Sequence, residues 1–112
     1  QLNQVFMNII VNACDAIKTR QKSTEEKSKG QITITCQLCN DVVEIAIKDN
    51  GCGISAEVQH KLFEPFYTTK DVGQGTGLGL STSFGIVQKH GGELSVESHL
   101  GEETTFLVKL PV

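Results

Sequence analysis

Glycine recurs at every second position from Gly73 to Gly79, in Gly73-Gln-Gly-Thr-Gly-Leu-Gly-Leu80, and an amphipathic segment reaching His90 follows without a break. Alternate glycines leave the backbone bare, so its N–H groups can approach a ligand closely. A helix starting directly after such a loop adds its own unpaired N–H groups and the positive end of its dipole at the same point. Loop and helix together make an anion site. Glycines alone also suit a plain surface loop, so the rest of the chain has to discriminate.

The chain's 112 residues carry one domain, 1–112, with one core. A formal charge of −3 without a basic stripe speaks against a nucleic-acid partner. No apolar run has membrane-spanning length and no signal peptide is visible, so no direct membrane contact is expected of this segment. Cys36-Gln-Leu-Cys39 has C-x-x-C spacing, but no second pair and no nearby His completes a zinc site. The two also sit in an alternating strand, where residues three apart point to opposite faces. Together with Cys14 and Cys52 they read as reduced cytosolic thiols. Gln1-Leu-Asn-Gln4 already lies inside a helical pattern, as in a segment excised from a longer protein.

Residues 1 to about 20 read as a helix: at about 100° per residue, Leu2, Val5, Phe6, Ile9, Ile10, Ala13, Ala16 and Ile17 share one arc. Gln4, Asn8, Asn12, Asp15 and Thr19 form a narrow polar stripe on its border. Asn is a mediocre helix former, so two of them at i and i+4 beside a core arc ask for a role. Met7, Val11 and Cys14 lie on a third arc, expected to be exposed here and covered in the parent protein. The polar run 18–30 reads as a loop. Gln31–Leu38 and Val43–Lys48 alternate around Asn40-Asp41, which predicts a β-hairpin delivering Asp49 at its end. Ser55 suits the N-cap of a short helix over 56–62. Residues 63–76 read as a mobile loop, 78–90 as a helix, and 93–98 and 104–110 as strands joined by a turn at Gly101. The order α-β-β-α-β-β with a structured loop in the middle predicts an α+β, two-layer sandwich: a mostly antiparallel sheet with helices on one face.

Three distant segments suit one nucleotide. Asn8, Asn12 and Asp15 offer oxygens to a hard cation such as Mg²⁺. Asp49 can accept from an exocyclic amine, with Gly51 and Gly53 leaving room for a flat base. The glycine ladder offers the phosphate cradle.

At these residues the chain resembles the ATP-binding catalytic domain of sensor histidine kinases, in a superfamily shared with type II topoisomerases, a heat-shock chaperone and mismatch-repair ATPases. Asn8-Ile-Ile-Val-Asn12-Ala-Cys-Asp-Ala16 is similar to the N box, and Asp49-Asn-Gly-Cys-Gly-Ile54 to the first glycine box. Phe63-Glu-Pro-Phe-Tyr-Thr-Thr-Lys70 is similar to the F box, in the form most like nitrogen-regulatory and dicarboxylate-type kinases. Gly75-Thr-Gly-Leu-Gly-Leu80 is similar to the second glycine box, and Thr104–Pro111 to the closing strand. The resemblance implies ATP and Mg²⁺ as cofactors, with Asn12 on the metal and Asn8 supporting the phosphates. Asp49 would take the adenine amine, with Thr104 and a water, and Gly51, Gly53 and Ile54 would border the base. Gly75, Thr76, Gly77, Leu78, Gly79 and Leu80 would hold the phosphates, Lys70 would reach the outer one, and 63–76 would be the ATP lid. Asn8, Asn12 and Lys70 would thus form the catalytic set.

The resemblance further implies a phosphoacceptor histidine domain and a response regulator as partners, and a cytoplasmic location, including as the cytoplasmic part of a membrane-bound sensor. No segment resembles the phosphoacceptor region: His60, His90 and His99 lack its context. The family's N-terminal strand is missing, Asp15 stands where many kinases carry Lys or Arg, and Glu103 where a glycine is usual. With Asp15 there, neutralising phosphate falls to Lys70 or Lys18. The alternatives are an ATPase or a nucleotide-sensing module of the same superfamily. Hydrolytic members, and the anti-sigma-factor kinases, place an acid four residues before the metal-binding Asn; Asn8 cannot act as a base at neutral pH. No G-x-G-x-x-G follows a strand and no G-K-[ST] occurs, which excludes dinucleotide-binding and P-loop folds.

Overall fold

The structure, a computed structural model, describes residues 2–23, 29–63 and 79–112. Helix α1 (Leu2–Ser23) turns Val5, Ile9 and Ala13 inward on successive turns, each at most 1% exposed. It runs past the end expected near residue 20, because Lys18–Gln21 contains no breaker and Lys, Arg and Gln are good helix formers. Strands β1 (Ile32–Cys39) and β2 (Val42–Asp49) form the expected hairpin. Asn40 (φ 47°) and Asp41 (φ 66°) both adopt the left-handed conformation that a two-residue hairpin loop demands.

Helix α2 (Ala56–Gln59) is shorter than expected, and Ser55 caps it by accepting from the Val58 N–H at 3.3 Å. Helix α3 (Gly79–Lys89) ends where Gly91 takes φ 78° and the Gly92 N–H bonds back to the Val87 carbonyl. Strands β3 (Glu93–His99) and β4 (Glu103–Pro111) turn at Gly101, φ 80°.

The sheet order is β1-β2-β4-β3, antiparallel throughout. Helices α1 and α3 pack against each other, with α1 over β2 and α3 over β3. Between the layers lie Val5, Ile9, Ile47, Val87, Leu94, Phe106 and Val108. This is the two-layer α+β sandwich expected from the sequence.

One strand departs from the expected pattern. Ile34 of β1 stands opposite Ile47 of β2, so both side chains share the helix-covered face. Yet Ile47 is 1% exposed and Ile34 55%, and Leu38 on the same row is 68% exposed. The helix layer stops over β2, so the alternation of β1 marks a face but not burial. Met7 and Val11 are exposed, as expected of the third arc of α1.

Two substitutions on α1 separate core from surface. Ile9→Ala is expected to cost about 2–5 kcal/mol, and Val11→Lys no more than about 0.5 kcal/mol, both read from urea-unfolding midpoints. Equal losses would place the third arc in the core.

Candidate functional site

The inward rows of β2, β4 and β3 are apolar until the position at one common end of the sheet. On β2 the row runs Ile45, Ile47, Asp49; on β4 Val108, Phe106, Thr104; on β3 Leu94, Val96, Ser98. The register pairs Asp49 with Thr104, and Thr104 with Ser98. One polar rung therefore crosses three strands at the same end of the sheet. Asp49 and Thr104 are each 2% exposed.

Above this rung opens a cavity of about 620 Å³, within the range of small-molecule sites. Asn12, Asp15, Lys18 and Thr19 of α1 line one side, Asp49 and Thr104 lie at the floor, and Ile54, Val58, Leu62 and Leu80 give apolar surface. The cavity thus brings together Asn12, Asp49, Gly53, Ile54, Leu80 and Thr104 from the sequence-derived set.

The chain leaving Asp49 is held in a tight bend. The Asp49 carboxylate accepts from the Gly51 N–H at 2.9 Å, and the Cys52 N–H donates to the Ala16 carbonyl at 3.1 Å. Gly51 packs on α1 beneath the cavity: a Cβ there would lie 2.6 Å from the Ala16 Cβ. Gly53, at φ 74°, leaves no room for a Cβ beside the His99 carbonyl. Arg20 ties the arrangement together, its Nη1 donating to the Asn50 and Glu102 carbonyls at 2.9 Å each.

Asn8 and Asn12 share a stripe but divide their work. Asn12 lines the cavity. Asn8 donates from Nδ2 to the Gly79 carbonyl and to Ser83 Oγ, both at 3.0 Å, and so ties α1 to the first turn of α3. Ser83 is fully buried and donates in turn to the Gly79 carbonyl at 2.8 Å. Lys70, Gly75, Thr76, Gly77, Leu78 and the lid beyond Phe63 lie outside the described residues. Phe63 itself stacks on Phe84 of α3, ring centroids 5.3 Å apart. Glu103, in place of the usual glycine, starts β4 and pairs with Lys48 at 2.8 Å.

Sequence reading missed Ser98 and Arg20. Ser98 Oγ contacts the Ile54 N–H (2.8 Å), the Glu103 carbonyl (2.7 Å) and Thr104 Oγ1 (2.7 Å). The available signal was a hydroxyl at the apolar phase of its strand. For Arg20, which reaches carbonyls 30 and 82 residues away, the sequence held none.

Burial pushes the Asp49 carboxyl above the ordinary aspartate value of 3.8, and the Gly51 N–H draws it part of the way back. Burial raises the Cys52 thiol in the same way. An acid whose folded-state pKa is raised opposes folding once ionised. Stability therefore falls as pH rises from 3.8 to the raised folded value, and the deficit persists at neutral pH. Asn at position 49 keeps an oxygen for the Gly51 N–H and removes the charge. Asp49→Asn is expected to show an equal or higher urea midpoint at pH 7, with any gain shrinking toward pH 4 as Asp49 protonates in the wild type. A lower midpoint at pH 7 would mean that the charge itself holds the bend.

Residues 1–112 match the family model described as histidine kinase-, DNA gyrase B-, and HSP90-like ATPase. The chain is 43% identical over 112 residues to the signal transduction histidine-protein kinase AtoS of Escherichia coli (strain K12), covering 99% of this chain and 17% of that protein. It is 40% identical over 119 residues to the sensor kinase CckA of Brucella abortus (strain 2308), covering 99% of this chain and 12% of CckA. The chain thus spans less than a fifth of the length of either relative. Among solved structures, a nucleotide-free form of the catalytic domain of histidine kinase ThkA superposes with a TM-score of 0.76 at 33% identity, covering 96% of this chain and 64% of that one.

Proposed function

This chain belongs to the histidine kinase-, DNA gyrase B- and HSP90-like ATPase family, and from that premise we propose that it binds ATP with Mg²⁺ as the catalytic domain of a protein histidine kinase. The γ-phosphoryl group passes to a histidine on a separate phosphoacceptor domain, for relay to a response regulator. The observation that carries this reading is the buried Asp49–Thr104 pair on the floor of a cavity with Asn12 in its wall. Asp49 accepts from the adenine amine. Thr104 supports the base edge, Gly53 and Ile54 flank it, and Leu80 adds apolar surface. Gly51 acts from beneath, by letting the bend pack on α1.

The oxygen donors fit Mg²⁺. Among the described residues no group of three or more His, Cys, Asp or Glu is placed to hold a metal ion. Mg²⁺ needs none, since it usually takes one or two protein oxygens and fills its shell with water and phosphate. Asn12 holds it in this reading, and the ion supplies positive charge against the phosphates. Lys18 lines the same cavity, while Lys70 and Gly75 to Leu78 complete the phosphate side in this proposal. The cytoplasm, where ATP is available, is the proposed location; no helix among the described residues is long and apolar enough to cross a membrane.

Asn8 favours transfer over hydrolysis. An amide cannot take a proton from water at neutral pH, and its nitrogen is committed to Gly79 and Ser83. His60, His90 and His99 do not line the cavity. His90 Nδ1 contacts the Ile86 carbonyl at 2.9 Å and His99 Nδ1 lies 3.7 Å from Glu103. Their placement supports the reading that the acceptor histidine lies on a separate domain.

Calorimetry should therefore show ADP binding with Mg²⁺, while γ-labelled ATP leaves the isolated chain unlabelled. Acid-labile label on one of its own histidines would overturn the separate acceptor. Asp49→Asn should weaken ADP by roughly ten- to a hundredfold, the worth of a hydrogen bond to a charged group. Asn12→Ala should remove mainly the Mg²⁺-dependent part of ATP binding; equal losses with and without the metal would remove Asn12 from the ion.

A further inference from the structure

Ser98 lies one strand beyond the residues assigned to the nucleotide, yet its hydroxyl is surrounded. A serine hydroxyl has one hydrogen to donate and two lone pairs to accept with. The Ile54 N–H, 2.8 Å away, can only donate, so it occupies one lone pair. The Glu103 carbonyl, 2.7 Å away, can only accept, so it takes the hydrogen. Thr104 Oγ1, 2.7 Å away, is the remaining partner. With the serine hydrogen already used, that contact requires Thr104 to donate. The single hydrogen of Thr104 thus points along the sheet at Ser98, and only its lone pairs are left for the cavity.

Thr104 stands directly opposite Asp49 in the β2–β4 register, and both are in the cavity lining. An ionised carboxylate also has only acceptors to offer. We infer that Ser98 is a positioning residue: it turns the Thr104 hydroxyl so that the Asp49–Thr104 pair meets a purine as two acceptors. An edge with an amine at the purine 6-position fits that floor. A 6-oxopurine turns a carbonyl oxygen toward those acceptors and keeps only its N1–H to donate, one hydrogen where the 6-amine brings two. Ser98, which is not among the residues lining the cavity, thereby contributes to the choice of a 6-aminopurine over a 6-oxopurine. This rests on the nucleotide reading of the same cavity and adds the origin of its selectivity.

The test compares ADP with inosine diphosphate, which differ at that position, by calorimetry on the wild type, Ser98→Ala, Ser98→Thr, Thr104→Val and the Ser98→Ala/Thr104→Val double variant. Removing the Ser98 hydroxyl frees Thr104 to rotate and donate to the 6-oxo group. The preference for ADP should then fall by about three- to tenfold, the span of one net hydrogen bond. Ser98→Thr keeps a hydroxyl and should keep the preference. In the Thr104→Val background, Ser98→Ala should leave the ratio unchanged, because the group it acts through is gone. A merely structural loss of the Ile54 and Glu103 contacts would weaken both nucleotides equally; an unchanged ratio in Ser98→Ala overturns the inference.

A wild type that binds neither nucleotide would overturn the nucleotide reading itself. The hydroxyl geometry then still has its own readout in the empty domain: a slowly exchanging Thr104 hydroxyl proton with a nuclear Overhauser contact to the Ser98 β-protons. Its absence would remove the proposed orientation whatever the ligand.

Discussion

The pairing of Asp49 with Thr104 across β2 and β4 is the constraint on which the rest of the molecule turns. Side chains alternate faces along a strand, so a one-residue slip would exchange every inward residue for an outward one. Lys48 would then enter the core and Asp49 would leave the cavity. The apolar partners on the same face guard against that slip. Ile47 stands opposite Phe106 and Ile45 opposite Val108, and burying that row requires the register that also places the carboxylate beside the hydroxyl. The core and the candidate site are specified by one alignment.

Helix α1 serves both layers at once. Its inward arc fills the core through Val5, Ile9 and Ala13, while its border stripe faces the cavity through Asn12 and the first turn of α3 through Asn8. Its last turns hold the bend after Asp49, through the Ala16 carbonyl, the surface that accepts Gly51, and the Arg20 guanidinium. The bend is also closed from the other side, where Gly101 N–H donates to the Cys52 carbonyl at 2.6 Å and Gly53 meets the β3–β4 turn. Burial raises the Asp49 carboxyl above its ordinary value, so its ionised form is held on the cavity floor at some cost in stability.

The uncovered part of β1 follows from the same layer geometry. Helices α1 and α3 shield β2, β4 and β3, and the opposite edge strand, β1, keeps Ile34 and Leu38 in contact with solvent. Its period-two pattern is that of a half-buried strand. Pattern and burial part company because the pattern records which face is apolar, whereas burial needs a second layer within reach.

Local physics determined a great deal directly from the residues. The hairpin rested on Asn40-Asp41, which tolerate the left-handed conformation; the N-cap on Ser55; and the α1 face on a 3.6-residue period, while the four motifs, short runs of neighbouring residues, came by resemblance to the family. Asp49 and Asn12 were legible for that reason. What only the tertiary structure decided is what depends on residues far apart in sequence. Asn8 proved to be a tie to α3, Gly51 a packing contact with Ala16, Arg20 a clamp on two loops, and Ser98 the partner that orients Thr104. Each of these roles requires knowing which strand or helix lies alongside. A sequence sets the chemistry each side chain can offer, but the register of the sheet and the docking of α1 choose the partners, because hydrogen bonding acts over about 3 Å between groups the chain itself holds tens of residues apart.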